Sequence, residues 1–203
     1  MNAPLTAATV RRNRIQLVLL ALMFFGPVGL SFWMYYGAHF QTRHLVNHGE
    51  LLTPARPLPE VALATPAGVS TPAHFLRGKW SIVYVTGEKC DSSCLQDLVE
   101  LRAVHQAMDR ERDRVQRVLL GEPPCCTVTE LGPEQSGLVV AWLDSRGGRQ
   151  LLAPFPQQTA AQRAGRTYIV DPLGNLVMSF AVGADRKGLI KDLDKLLRLS
   201  HIG

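Results

Sequence analysis

Trp80-Ser-Ile-Val-Tyr-Val-Thr-Gly-Glu-Lys-Cys-Asp-Ser-Ser-Cys-Leu-Gln-Asp-Leu-Val-Glu-Leu-Arg-Ala-Val-His-Gln-Ala-Met108 is the stretch whose reading decides the fold. Its opening, Trp80–Thr86, is β-branched and aromatic, the composition of a strand buried on both faces. Its second half, Leu95–Met108, sets Leu95, Leu98, Leu101, His105 and Met108 at helical spacing, so a helix with one buried stripe follows. Asp91 or Ser92 can cap it. Cys90 and Cys94 stand at the junction. There the helical N–H groups and the macrodipole favour a thiolate. If both cysteines fall on the first helical turn, their i, i+4 spacing puts both sulfurs on one face. That brings them within reach of a disulfide or of one soft metal ion. Cys90, nearer the helix start and solvent, suits the attacking role and Cys94 the resolving one. The bland alternative is a static disulfide.

Downstream, Val115–Leu120 and Leu138–Leu143 read as further apolar strands, and Gly148–Phe155 as a short helix or irregular segment. Tyr168–Val170 and Leu176–Phe180 flank Asp171-Pro-Leu-Gly-Asn175, a hairpin loop. Gly188–Leu199 sets Leu189, Leu193, Leu196 and Leu197 at helical spacing. Upstream, Val61–Leu63 reads as a short strand, Pro66-Ala-Gly68 as a turn, and Thr53–Pro59 as an extended, proline-rich linker. Strands alternating with helices predict an α/β domain, a mixed sheet covered by helices.

Ahead of this domain, Ile15–Thr42 contains no Asp, Glu, Lys or Arg, and Ile15–Tyr36 is almost wholly apolar. Such a run spans a bilayer core of roughly 30 Å. Gly26, Pro27 and Gly29 are tolerated in membrane helices. Trp33, Tyr35 and Tyr36 stand at its far end, as an interfacial aromatic belt would. Arg11, Arg12 and Arg14 precede it, which keeps the N-terminus in the cytoplasm and exports the rest. The run is longer than the apolar core of a signal peptide, so an uncleaved anchor is expected. The net charge of +5 comes partly from those arginines. The remaining charges interleave in sign, as in Arg110-Glu-Arg-Asp-Arg114, which excludes a nucleic-acid stripe. Only four cysteines follow the apolar run, too few for a disulfide-built scaffold, so redox or metal chemistry is the better reading.

Phe75-Leu-Arg-Gly-Lys-Trp80, the strand after it, Cys90-x-x-x-Cys94 and Tyr168-Ile-Val-Asp-Pro-Leu-Gly174 together resemble the Sco/SenC family of thioredoxin-like proteins. The resemblance covers roughly Pro59–Leu199. It is closest to divergent Sco-like membrane proteins encoded beside bacterial cytochrome c oxidase subunits. It implies a thioredoxin-like α/β fold on a single N-terminal transmembrane helix. The parts would be a cytoplasmic N-terminus (1–14), an anchor (15–36), a juxtamembrane segment and linker (37–58) and the thioredoxin-like domain (59–203), in a bacterial inner membrane with that domain in the periplasm. It also implies a role in assembling the oxidase copper site through Cys90 and Cys94, by holding copper(I), by reducing target cysteines, or both. The partner would then be an oxidase subunit or another copper or redox assembly factor. The alternatives are a metal-free thiol–disulfide oxidoreductase and a non-catalytic scaffold for an oxidase subunit. Two family positions differ: Leu95 replaces the proline after the second cysteine, and Gln162-Arg-Ala-Gly-Arg-Thr167 has no counterpart of the family's copper-binding histidine.

In a thioredoxin-like sheet, Cys125 and Cys126 follow a strand that ends on the same edge as Cys90. One of them could relay a disulfide or supply a third soft ligand; otherwise they are incidental thiols or part of a second bridge, although vicinal cysteines rarely bond each other. Arg163 and Arg166 stand where the family places its histidine and could lower a thiol pKa. His44 and His48 have a metal-ligand spacing, with His39 nearby, but more often such histidines are solvated. His105 is expected to be a satisfied boundary residue. No P-loop, Ser-His-Asp signature or paired-carboxylate motif is present.

Overall fold

The computed structural model describes residues 7–33, 47–157 and 159–200. The chain divides into two units, Met1–Leu45 and Val46–Gly203. In the first, α1 (Ala7–Phe32) contains Pro27. Leu17, Val18, Leu19 and Leu20 are successive and all exposed, so apolar side chains surround the helix instead of forming one stripe. The helix Arg11–Phe32 is 22 residues long, contains an 18-residue window of mean hydropathy 2.1, and is long and apolar enough to cross a membrane. Trp33 is exposed at the end of this helix. Tyr35, Tyr36, His39 and His44 lie outside the described residues.

The second unit is built on one six-stranded sheet. In chain order it runs β1 (Glu50–Pro57), β2 (Trp80–Val85), α2 (Ser92–Ala107), a 3-10 helix (Asp109–Arg114), β3 (Val115–Gly121), α3 (Val128–Leu131), a second 3-10 helix (Pro133–Gln135), β4 (Leu138–Trp142), α4 (Arg146–Leu152), α5 (Ala160–Arg163), β5 (Arg166–Val170), β6 (Asn175–Phe180) and α6 (Arg186–Leu199). The strand order is β1-β6-β5-β2-β3-β4. β2, β3 and β4 are parallel, while β5 runs antiparallel to both β2 and β6. This is the expected mixed α/β sheet.

All six residues of β2 are buried, because helices or loops cover both faces. Trp80, Ile82 and Tyr84 pack in one core with Leu98, Leu101 and Val104 of α2 and Leu189, Leu193 and Leu197 of α6. Val83 and Val85 point the other way, into a core with Val118, Leu120, Leu151, Phe155 and Tyr168. The two-residue period of β2 thus feeds two cores from one strand.

Three sequence expectations move. Thr53–Pro57, read as linker, belongs to β1, which pairs antiparallel with β6. The prolines are tolerated because β1 is an edge strand, and Pro54 falls where the register shifts between Leu51 and Arg56. Val61–Leu63 forms no strand; the nearest pairing is an isolated bridge from Ala64 to Ser70. In α2 the fully buried stripe is Cys94, Leu98, Leu101 and Val104, and His105 sits half-buried at its margin.

His105 Nε2 donates to Val115 O at 2.9 Å, as a satisfied boundary histidine should. Burial, the largest influence, lowers its pKa from the ordinary 6.5. The unfolded chain therefore takes up this proton first as the pH falls. His105 costs no stability well above pH 6.5, and its penalty grows as the pH drops through 6.5 and then through the lower folded value. The expected result is a melting temperature that declines across that window, and a smaller decline in His105→Gln. Identical profiles in the two proteins would refute this.

Candidate functional site

The site begins where β2 and β3 end. Thr86 N donates to Leu120 O at 2.9 Å and Glu122 N to Gly87 O at 3.2 Å, so the chain leaves the two parallel strands side by side. From β2 it turns through Lys89, whose carbonyl accepts from the Thr86 hydroxyl at 3.2 Å, and reaches Cys90. Asp91, in extended conformation, is the N-cap of α2. Its Oδ1 accepts the Cys94 N–H at 3.0 Å and the Ser93 hydroxyl at 2.7 Å. These bonds, with that from Cys94 first, hold its carboxyl below the usual carboxylate range, so the cap is charged at neutral pH.

Cys90 and Cys94 are joined in a disulfide, their Cα atoms 5.1 Å apart. They do not share the first helical turn. Cys90 precedes the cap, and Cys94 is the third helical residue. The difference matters for access. Cys94 is buried against the core, whereas Cys90 is only partly covered. One turn further on, Tyr84 donates its hydroxyl to Asp97 Oδ2 at 2.8 Å, which ties α2 to β2 below the sulfurs. Burial, and then Asp97, push the Tyr84 hydroxyl pKa well up, so it stays a donor at neutral pH.

Beside α2 runs a small cleft lined by Asp97, Glu100, Gly165, Thr167, Gly183 and Ala184. Gly165 N donates to Val85 O at 2.8 Å, which sets the segment before β5 against the end of β2. Arg163 and Arg166 belong to this segment. Arg163 Nη1 donates to Gln157 O at 2.7 Å and Arg166 Nε to Gln162 O at 3.0 Å. The described hydrogen bonds of both guanidinium groups thus run to their own loop's carbonyls.

Cys125 and Cys126 follow β3. Cys125 N donates to Glu122 O at 3.0 Å, closing a turn. Trp142 Nε1 donates to Cys125 O at 2.9 Å, and the N–H groups of Cys126 and Thr127 both donate to Glu130 Oε2 at 2.9 Å. Cys126 adopts a left-handed backbone, φ 74°. Contrary to the expectation for vicinal cysteines, the two are bonded to each other. Both lie in the core that contains Cys94. Joined in this way, neither offers a thiolate as a third metal ligand.

Gly121 explains how they fit. A Cβ at that position would press on Thr86 Cγ2 at 3.2 Å and lie in contact with both sulfurs at 3.4 Å, so the glycine lets the strand run close beside the pair. His48 is also accounted for: its ring Nδ1 lies 3.2 Å from Asp192 Oδ1 on α6. Sequence reasoning missed this partner. Among the described residues no three His, Cys, Asp or Glu side chains gather as a metal-binding group. The donors that fit copper(I) are the two thiolates of a reduced Cys90/Cys94 pair, soft ligands for a soft ion.

Residues 80–200 match the model of a family described as the transmembrane-like, thioredoxin-like, C-terminal domain. No curated protein matches the chain. Among solved structures, apo Sco1 from Thermus thermophilus is similar at 18% identity and TM-score 0.57, over 74% of this chain and 96% of that one. Yeast Sco1 with copper bound is similar at 16% identity and TM-score 0.57, over 72% and 95%. A SCO1/SenC family lipoprotein from Bacillus anthracis is similar at 13% identity and TM-score 0.55, over 71% and 98%. At these identities the likeness is one of fold.

Proposed function

This chain belongs to the transmembrane-like, thioredoxin-like family, and from that premise we propose that it is a membrane-anchored thiol factor acting through Cys90 and Cys94 in the assembly of a cytochrome c oxidase copper site. The observation that carries the reading is the Cys90–Cys94 disulfide at the β2–α2 junction, with one sulfur approachable and the other buried. In the reduced state the Cys90 thiolate attacks a disulfide on the partner. The partner's S–S bond breaks and one of its sulfurs leaves as a thiolate, which takes a proton. Cys94 then attacks the Cys90 sulfur of the mixed disulfide and releases the second partner thiol. Cys90–Cys94 closes, the state seen here. Arg11, Arg12 and Arg14 ahead of the apolar run orient the anchor with the domain on the periplasmic side of a bacterial inner membrane.

Copper(I) is the second reading. It is favoured by the two converging sulfurs and by the copper in structures of the same fold, such as yeast Sco1. In this reading the ion is cargo held by the reduced pair on its way to an oxidase subunit or to another assembly factor.

The test uses the full chain in detergent micelles, as wild type and as Cys90→Ser/Cys94→Ser. Each is reduced, titrated with copper(I) against a competing chelator, and offered a peptide disulfide. Exchange with the peptide that is lost in the variant supports the thiol reading. One-to-one copper binding lost in the variant supports the cargo reading as well. If the wild type neither exchanges nor binds copper, both fail and the pair is a static bridge in a docking scaffold.

A further inference from the structure

We propose that Cys125–Cys126 is a second redox centre, a resident two-electron store that exchanges with Cys90–Cys94 through the Cys94 sulfur. This rests on the thiol-redox reading of Cys90 and Cys94. Three observations point to it.

The first is position. The two disulfides follow the C-terminal ends of adjacent parallel strands. Thr86 bridges them: its methyl meets the Gly121 position against which both vicinal sulfurs sit, and its hydroxyl bonds Lys89, the neighbour of Cys90. The second is access. Cys125 is 2% exposed and Cys126 1%, so a dissolved or protein-borne thiol has no direct approach. Cys94 shares their core, while Cys90 is the one partly open sulfur of the four. Electrons from outside therefore enter at Cys90 and pass inward through Cys94.

The third is that a bridge between sequence neighbours has little structural use. A disulfide stabilises mainly by shortening the loops of the unfolded chain, and this one closes no loop beyond a single peptide unit. The turn is already fixed by Trp142 Nε1 on Cys125 O and by Glu130 on two N–H groups. A reversible bond can sit here without endangering the fold.

The step balances internally. With Cys90/Cys94 reduced, the Cys94 thiolate attacks one sulfur of Cys125–Cys126. That S–S bond breaks, a Cys94 mixed disulfide forms, and the displaced sulfur leaves as a thiolate that takes a proton. Cys90 then attacks the Cys94 sulfur. Cys90–Cys94 closes and the second vicinal thiolate is released and protonated. Two electrons and two protons have moved from the outer pair to the inner one. The reverse sequence reloads the outer pair after it has reduced a partner, so one chain stores four electrons instead of two.

The test is a reduction time course on the full chain in detergent micelles with dithiothreitol, read by alkylation and peptide mass spectrometry. In wild type, Cys90 and Cys94 are expected to become alkylable first and Cys125 and Cys126 after them. In Cys90→Ser/Cys94→Ser, reduction of the vicinal bridge is expected to slow about tenfold or more, since access governs exchange rate. In Cys90→Ser alone, the Cys94 thiolate lacks its resolving partner, and a Cys94–Cys125 or Cys94–Cys126 cross-link is expected to accumulate. The proposal is overturned if Cys125–Cys126 stays closed while Cys90–Cys94 is fully reduced, or if it opens equally fast without them. If Cys90–Cys94 itself resists reduction, the reading of that site fails with it.

Discussion

Replacing Cys94 by serine is expected to freeze this protein in a mixed disulfide with its partner, whereas replacing Cys90 is expected to lower exchange by about three orders of magnitude or more, the scale on which loss of a nucleophile acts. The asymmetry follows from burial. Cys90 is partly open and precedes the Asp91 cap, while Cys94 lies inside α2 against the core. An incoming disulfide reaches Cys90 first. Without Cys94 the mixed disulfide has no internal nucleophile to resolve it and accumulates, visible as a dithiol-sensitive adduct on a non-reducing gel. Without Cys90, the remaining thiol is shielded from a large partner. Cells carrying the two variants should therefore differ: Cys94→Ser captures a partner and Cys90→Ser does not. Capture by Cys90→Ser instead would reverse the roles. Normal oxidase copper loading in both variants would show the pair to be a passive bridge.

What the sequence discloses here depends on how local each signal is. β2 and α2 are legible because a six-residue run with five β-branched or aromatic residues and a capped apolar stripe need no distant partner to be recognised. The Cys90–Cys94 pair is legible for the same reason, since its spacing and flanking elements lie within one short stretch. β1 is not. Its two prolines argue for a linker, and only pairing with β6, more than a hundred residues away, makes it an edge strand. The vicinal bridge is half-legible. The strand order places Cys125 and Cys126 near Cys90, but their bonding depends on the left-handed backbone at Cys126 and on space left by Gly121. Asp192 carried a signal that went unread. It stands three residues after Leu189 and one before Leu193, on the buried stripe of α6, where an acid needs a partner.

That acid makes the second large effect. Asp192→Ala is expected to destabilise the domain by about 3 kcal/mol, which for a chain of this size is a drop of about 6–12 °C in melting temperature. Asp192 is buried, and its Oδ2 accepts the backbone N–H of His48 at 2.7 Å and of Gly49 at 2.8 Å, while Oδ1 meets His48 Nδ1 at 3.2 Å. Each of these bonds involves a carboxylate and is stronger than a neutral one, and removing it leaves the buried Gly49 N–H without its acceptor. The approach is close on all sides. A Cβ on Gly188 would come within 2.6 Å of His48 Cβ, and one on Gly49 within 2.5 Å of Phe180 Cζ, so neither glycine has room for a side chain. The carboxylate thus fixes the two residues just before β1, which pairs at the sheet's edge with β6, the strand that ends in Phe180. Asp192→Asn retains an acceptor oxygen and should lose roughly half as much. Amide hydrogen exchange gives the discriminating readout: the N–H groups of His48 and Gly49 should lose protection in Asp192→Ala while those of β2 keep most of theirs. If the two amides exchange as slowly as in wild type, the carboxylate is not what holds the start of β1, and the packing of Gly49 on Phe180 and of His48 on Gly188 carries that role alone.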